Sequence, residues 1–168
     1  GRLLTGADLD IESVRKDKNG NLWFGDEFGP YLVKTNAQGE VLRREIGMRG
    51  VASPQNEAVV NGTIGATLGR SAGFEGMAIN PNGDRLYTLL EGTVQGDPAK
   101  TLRINAFDVT TEAYTGQQWN YKLDAAGTNI GDMTAINDHE FLIIERNGAT
   151  ATSGTPFKKI FRIDLNAT

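Results

Sequence analysis

Six acidic residues recur at matched places along the chain and carry its most informative chemistry. Glu12, Glu75 and Asp132 each stand at the head of a short apolar run. Glu27, Glu91 and Glu145 each close the run that follows, with Asp26 beside the first of them. Carboxylates brought within a few ångströms of one another repel unless a proton or a cation neutralises them. The chain has no cysteine and one histidine. Its oxygen-rich donor set therefore suits Ca2+, with Mg2+ as the alternative, far better than Zn2+ or Cu2+. Such a cation can bridge an anionic phosphate to an acidic surface and acidify a bound water. Arg146, directly after Glu145, is placed to clamp phosphoryl oxygens bidentately, with Lys158 and Lys159 as weaker candidates for the task. The catalytic candidates are Glu75 and Arg146. The metal-ligating candidates are Glu12, Asp26, Glu27, Glu75, Glu91, Asp132 and Glu145. A structural reading stands beside this one: acids at strand ends accept hydrogen bonds from loop N–H groups, and Glu12 or Glu75 can pair with Arg15 or Arg146.

These acids are positioned by a unit that repeats three times. Asp10 to Val14, Phe74 to Ile79 and Gly131 to Ile136 each run into a polar turn, then into Leu22 to Glu27, Leu86 to Glu91 and Phe141 to Glu145. The first two turns, Asp17-Lys18-Asn19-Gly20-Asn21 and Asn80-Pro81-Asn82-Gly83-Asp84, contain Asn-Gly pairs that tolerate the positive φ of tight hairpins. The third, Asn137-Asp138-His139, is shorter. The flanking runs are short and rich in β-branched and aromatic residues, as strands are. A second strand pair follows in the first two units, Tyr31 to Thr35 with Glu40 to Ile46 and Thr101 to Asp108 with Gln117 to Leu123. In the third unit Lys159 to Asp164 is one strand without a partner.

Four strands per unit with no helical stripe predict an all-β fold built as a β-propeller segment. We expect three four-stranded blades of a larger, six-bladed ring. The units repeat about every 60 residues, longer than the ~40–50 of familiar blades, so each carries a long loop. One domain is expected over residues 1–168, with residues 47–73 a long irregular loop between the first and second blades. In such a ring the innermost strands deliver their ends to one mouth, where equivalent residues of successive blades converge. Glu12, Glu75 and Asp132 are equivalent by this repeat, and so are Glu27, Glu91 and Glu145. Three blades do not close a ring, so the missing ones are expected from the rest of a longer chain or from self-association.

Bulk properties narrow the function further. A net charge of −4 without a basic block disfavours nucleic-acid binding. No apolar run approaches the ~18 residues of a membrane helix, and Gly1-Arg2-Leu3-Leu4 leads into polar sequence rather than a signal peptide. With a cation held by the acids, the expected partner is a small anionic or phosphorylated substrate. Twenty-one glycines, spread through the chain, read as turn punctuation. Asp17 to Asn21 lacks the later ligands of a calcium loop and is read as a hairpin turn. Gly69-Arg70-Ser71-Ala72-Gly73 matches G-x-S-x-G, with Asp132 and His139 following in order. It lacks the strand-to-helix elbow that motif needs, so a serine triad is not expected. Trp23 and Tyr87 read as blade core.

Three ordered blocks resemble the esterase-like phytase domain family. The first is Asp8 to Val14 with Leu22 to Leu32. The second is Gly73 to Ile79 with Leu86 to Gly92, and the third is Ile130 to Met133 with Leu142 to Asn147. The resemblance implies a phytase-like propeller, calcium-dependent hydrolysis of phosphoesters or esters, and a secreted or periplasmic bacterial protein. Its members are usually longer than this chain. A non-catalytic ligand-binding or scaffold propeller and a lactonase-like metal hydrolase are the alternative functions.

Overall fold

The structure, a computed structural model, describes residues 5–167; the chain start discussed above lies outside the described residues. The chain forms three antiparallel sheets in sequence order. In the first, β1 (Ile11–Lys16), β2 (Leu22–Asp26), β3 (Tyr31–Thr35) and β4 (Ile46–Gly47) lie side by side in chain order. The second repeats the arrangement with β5 (Phe74–Ile79), β6 (Arg85–Leu90), β7 (Thr101–Asp108) and β8 (Ala113–Lys122). The third has β9 (Asn129–Ala135), β10 (Glu140–Arg146) and β11 (Lys158–Asp164). β5 packs between β1 and β9, so the first strands of the three sheets are the inner ones. The molecule is part of a β-propeller, three blades in an arc.

Alternation along the middle strand joins the blades. On β6, Leu86 and Leu90 face the first blade and share a core with Trp23, Leu32, Phe74 and Phe107. Tyr87 and Leu89 face the third blade and pack with Ile104, Ile130, Phe141 and Ile143. A strand exposes opposite faces at successive residues, so a strand buried on both sides serves two cores. Trp23 meets Phe107 edge-on at 5.1 Å between ring centres, and its indole N–H donates to Asp17 in the β1–β2 turn at 2.9 Å. Trp23 and Tyr87 are thus core residues.

The three hairpin turns gather at one end of the arc. The Lys18 N–H donates to the Gly83 carbonyl at 2.9 Å, and the Tyr87 hydroxyl to the Asp138 carbonyl at 3.0 Å. Gly83 has φ +68°, and a Cβ there would stand 2.8 Å from the Lys18 nitrogen. Only glycine combines that conformation with that approach. Arg15 on β1 spans to β9, its Nη2 lying 2.9 Å from both Asp132 carboxylate oxygens and 2.9 Å from the Met133 carbonyl. With the turns tied at one end, the starts of β1, β5 and β9 and the ends of β2, β6 and β10 meet at the other.

One segment differs from expectation, and a second is better held than its composition suggests. Glu40 to Ile46 pairs with β3 only through the Thr35–Val41 bridge and at Ile46–Gly47. Its charges lead it away from the sheet: Arg43 joins Lys34 in an ion pair with Glu112, and Arg44 reaches Glu45 and Glu57. The long irregular loop 47–73 is anchored to the first blade's core. Met48, Val51 and Leu68 enter the first core, and α1 (Glu57–Val60) is capped by Asn56, whose side chain accepts from the Ala58 N–H at 2.9 Å. Among the described residues no helix is long and apolar enough to cross a membrane.

Replacing fully buried Trp23 by Ala should cost about 3–5 kcal/mol of stability, through the cavity it leaves. Val60→Ala, at a residue 70% exposed, should stay within about 0.5 kcal/mol. Urea unfolding of both variants checks the pair; equal effects would contradict the interlocked core.

Candidate functional site

The inner strands share an irregularity at the mouth. Between Ile11 and Ser13 the register of β1 against β2 slips by one residue, leaving Glu12 as the extra residue. The same slip between Phe74 and Gly76 leaves Glu75 extra on β5. On β9 the slip lies where Ile130 faces Glu145 and Asp132 faces Ile144, so the extra residue is Gly131. A bulge re-aims its residue and ends regular pairing, and bulges concentrate beside functional sites. Beyond the bulge the pairing resumes: Glu27 donates its N–H to the Asp10 carbonyl at 2.9 Å and Glu91 to that of Gly73 at 2.8 Å, while Arg146 faces Asn129.

This register corrects the sequence equivalence in the third blade by one position. Gly131, not Asp132, matches Glu12 and Glu75; Arg146, not Glu145, matches Glu27 and Glu91. A one-residue shift along a strand sends a side chain to the opposite face. Asp132 accordingly pairs with Arg15 and lies outside the cluster. Glu145 is 1% exposed and accepts from the Tyr121 hydroxyl at 2.6 Å and the Asp124 N–H at 2.8 Å, an internal tie between blades two and three. Asp26 accepts from the N–H groups of Asp10 at 2.7 Å and Gly29 at 2.9 Å, and so fixes the loop after β2.

Of the seven acidic candidates, the fold brings Glu27, Glu75 and Glu91 together. One carboxylate oxygen from each lies within 4.8 Å of the others. Close approach of backbones permits this: a Cβ on Gly73 would stand 2.5 Å from the Glu27 Cα. Glu27 is 4% exposed, and its Oε1 is buried without a hydrogen-bond partner among the described residues. Arg146 Nη2 lies 3.5 Å from Glu75 and 3.4 Å from Glu91, at the outer limit of a hydrogen bond. Asn129, which the sequence reading passed over, donates to Glu91 at 2.9 Å. Its place opposite Arg146 follows from the β9–β10 register, which the repeat alone does not show. Glu12 is exposed at the rim.

The electrostatics follow from this crowding. Burial, then the charges of Glu91 and Glu75, push the Glu27 carboxyl up to about 8. Burial, then Glu91 and Glu12, lift Glu75 to about 7, with Arg146 pulling the other way. Glu12 is raised by burial and by Asp10 and Glu91. Burial also lifts Asp26 to about 6, against the hydrogen bonds it accepts. His139 sits at the far end of the sheets, bound to Asp164 at 2.9 Å, while Ser71 lies by the mouth near Glu91. No triad forms from them.

The family of phytase-like proteins described by the esterase-like activity of phytase matches residues 1–168 throughout. The chain belongs to this family. The phytase-like chain is 28% identical, over 132 residues and 64% of its length, to an uncharacterized secreted protein of Arthroderma benhamiae, and spans 26% of that protein. Among solved structures it is similar to Kluyveromyces lactis Hsv2, with a TM-score of 0.45 at 12% identity over 94% of this chain and 48% of that one. It is also similar to virginiamycin B lyase from Staphylococcus aureus with quinupristin, with a TM-score of 0.40 at 10% identity over 97% and 58% of the two chains.

With Glu27 raised from an ordinary 4.5 to about 8, the folded chain keeps a proton that the unfolded chain has released. Stability of the cation-free phytase-like chain must then fall as pH rises through that window. Thermal unfolding in EDTA should show a lower Tm at pH 8 than at pH 5.5, with Glu27→Gln flattening the slope. A wild-type Tm that does not fall across this range would contradict the buried-acid geometry.

Proposed function

We propose that the mouth is the centre of a divalent-cation-dependent hydrolase acting on phosphoesters or esters. The observation that carries this reading is the Glu27 carboxylate oxygen, buried, unpartnered and grouped with Glu75 and Glu91 within 4.8 Å. Three carboxylate oxygens gathered within 4.8 Å of one another could close on one shared ion, and an all-oxygen donor set suits calcium. Mg2+ needs shorter and more regular contacts, so Ca2+ fits better.

Glu27, Glu75 and Glu91 would hold the cation. When bound, it would bridge an anionic phosphoryl group to the acidic mouth and acidify a water. Arg146 is the phosphoryl clamp: its long contacts to Glu75 and Glu91 are weak enough to exchange for two parallel bonds to a phosphate. Half-buried Glu75 would take the proton from the attacking water at a carboxylate oxygen. The new bond joins the water oxygen to phosphorus or carbonyl carbon, the bond from that atom to the ester oxygen breaks, and the ester oxygen leaves with the proton that Glu75 took up. Glu12 at the rim adds negative potential for the cation. Asn129 orients Glu91. Asp26, Asp132 and Glu145 hold loops and blades in place around the centre.

A second reading, a non-catalytic ligand-binding propeller, draws on Arg146: a guanidinium beside two carboxylates can neutralise them without any ion. A lactonase-like reaction would use the same acidic mouth. The remaining blades would come from further sequence or from a second copy; exposed Ile144 and Ile160, opposite one another on β10 and β11, support such a covered face. A secreted setting fits the relative's description.

Ca2+ titrated into the EDTA-stripped chain should release heat that saturates, and phosphoester hydrolysis should vanish in EDTA and return with Ca2+. Glu75→Gln should lower kcat about 100-fold or more with folding intact. Absence of hydrolysis with any divalent metal, or full activity in Glu75→Gln, would favour the non-catalytic reading.

A further inference from the structure

A connection as long as residues 47–73 inside a compact fold usually carries a function, and its polar contacts converge on Glu27. Ser53 is fully buried. Its hydroxyl donates to the Glu27 carbonyl at 2.6 Å, and its N–H donates to the Gly29 carbonyl at 3.0 Å. The Asn56 side-chain amide donates to the same Gly29 carbonyl at 2.9 Å. The Glu27 N–H is already held by Asp10, so both backbone groups of this residue are engaged.

This clip is itself braced. The Ala52 N–H donates to the Thr67 hydroxyl at 2.9 Å, and the Ala52 carbonyl accepts from the N–H groups of Thr67 at 2.9 Å and Leu68 at 3.1 Å. The Thr67 carbonyl accepts in turn from the Gln95 N–H at 2.8 Å, in the loop after β6. The segment thus runs as a strap from the backbone of Glu27 to the loop that follows Glu91. Side-chain contacts do not do this work for Glu27. Glu75 has Arg146 beside it and Glu91 has Arg146 and Asn129, whereas the Glu27 Oε1 has no hydrogen-bond partner among the described residues. Repulsion from the two neighbouring carboxylates pushes Glu27 away from them. What opposes that push is the backbone on which its side chain stands, and a binding geometry persists only when the groups behind it are locked.

We propose that Ser53 is a positioning residue for Glu27, holding its backbone so that the carboxylate stays grouped with those of Glu75 and Glu91 for a shared cation. The inference rests on the cation-centre reading above and adds a residue that touches neither the ion nor the substrate.

Titration calorimetry of the whole chain with Ca2+, well below Tm, tests it. Ser53→Ala should weaken Ca2+ binding about tenfold, the loss of one hydrogen bond. Ser53→Thr, which keeps the hydroxyl, should recover most of that loss. Thr67→Val, at the half-buried brace, should weaken binding about threefold and stands in for Ser53→Ala if that variant does not fold. Phe107→Leu, in the core toward the turn end where Phe107 faces Leu86, should lower Tm yet leave Ca2+ affinity within about twofold. Wild-type affinity in Ser53→Ala, or in Thr67→Val where Ser53→Ala does not fold, would overturn the proposal. An equal loss in Phe107→Leu would overturn it too, because the effect would then be one of stability alone. If the wild-type chain takes up no Ca2+, the cation centre falls and hydrogen exchange in EDTA decides the positioning. Ser53→Ala should then speed exchange at the Glu27 and Gly29 amides about tenfold with the β7 amides unchanged, and equal protection in the two proteins would overturn it.

Discussion

Three carboxylates whose oxygens lie within 4.8 Å of one another set the terms for everything around them. At that separation, away from bulk water, each added negative charge raises the cost of the next. The fold answers in the ways open to it: burial and mutual repulsion push the Glu27 carboxyl up to about 8 and Glu75 to about 7, and Arg146 stands at the edge of the group. Neither is complete, since Arg146 stands at long distance and one Glu27 oxygen has no partner. A divalent cation would satisfy what these leave unsatisfied. On the proposed reading, charge balance and occupancy of the site are linked, and stability, proton uptake and cation binding would respond to one another.

The sheet supports this crowding through backbone geometry more than through side-chain packing. Tight turns tie the blades at one end, paired cores built on alternate faces of β6 clamp them in the middle, and the bulges at Glu12 and Glu75 turn acids inward at the other end. The Arg15–Asp132 pair spans the arc from first blade to third and fixes its curvature. Shifting any inner strand by one residue would withdraw the acids from the mouth and expose the core together, so register is held by both.

Much of this was legible in the residues. Asn-Gly turns, β-branched runs and three repeats pointed to blades, because local turn chemistry and period-two patterning dictate hairpins directly. The acids at the ends of the first two units reached the mouth as the repeat implied. The third unit misled because Asp132 and Glu145 imitate the pattern one residue out of step. Which residue forms the bulge is decided by pairing with β10, and the repeat alone does not contain that information. The same displacement puts Arg146, singled out in the sequence as a phosphoryl clamp, at the position that glutamates hold in the other blades. The charged strand after Gln38 failed as a strand because Arg43 and Lys34 find a shared partner in Glu112 from another blade, a contact local propensity does not register.

The central claim is that one cation is shared by Glu27, Glu75 and Glu91. Crystals of the chain grown with Ca2+, and again with Mn2+ for its anomalous signal, test it most directly. The account predicts a single peak within about 2.6 Å of an oxygen from each of the three carboxylates, lost in Glu27→Gln. A mouth without such a peak in wild-type crystals at saturating metal, with Arg146 closed onto Glu75 and Glu91, would contradict it.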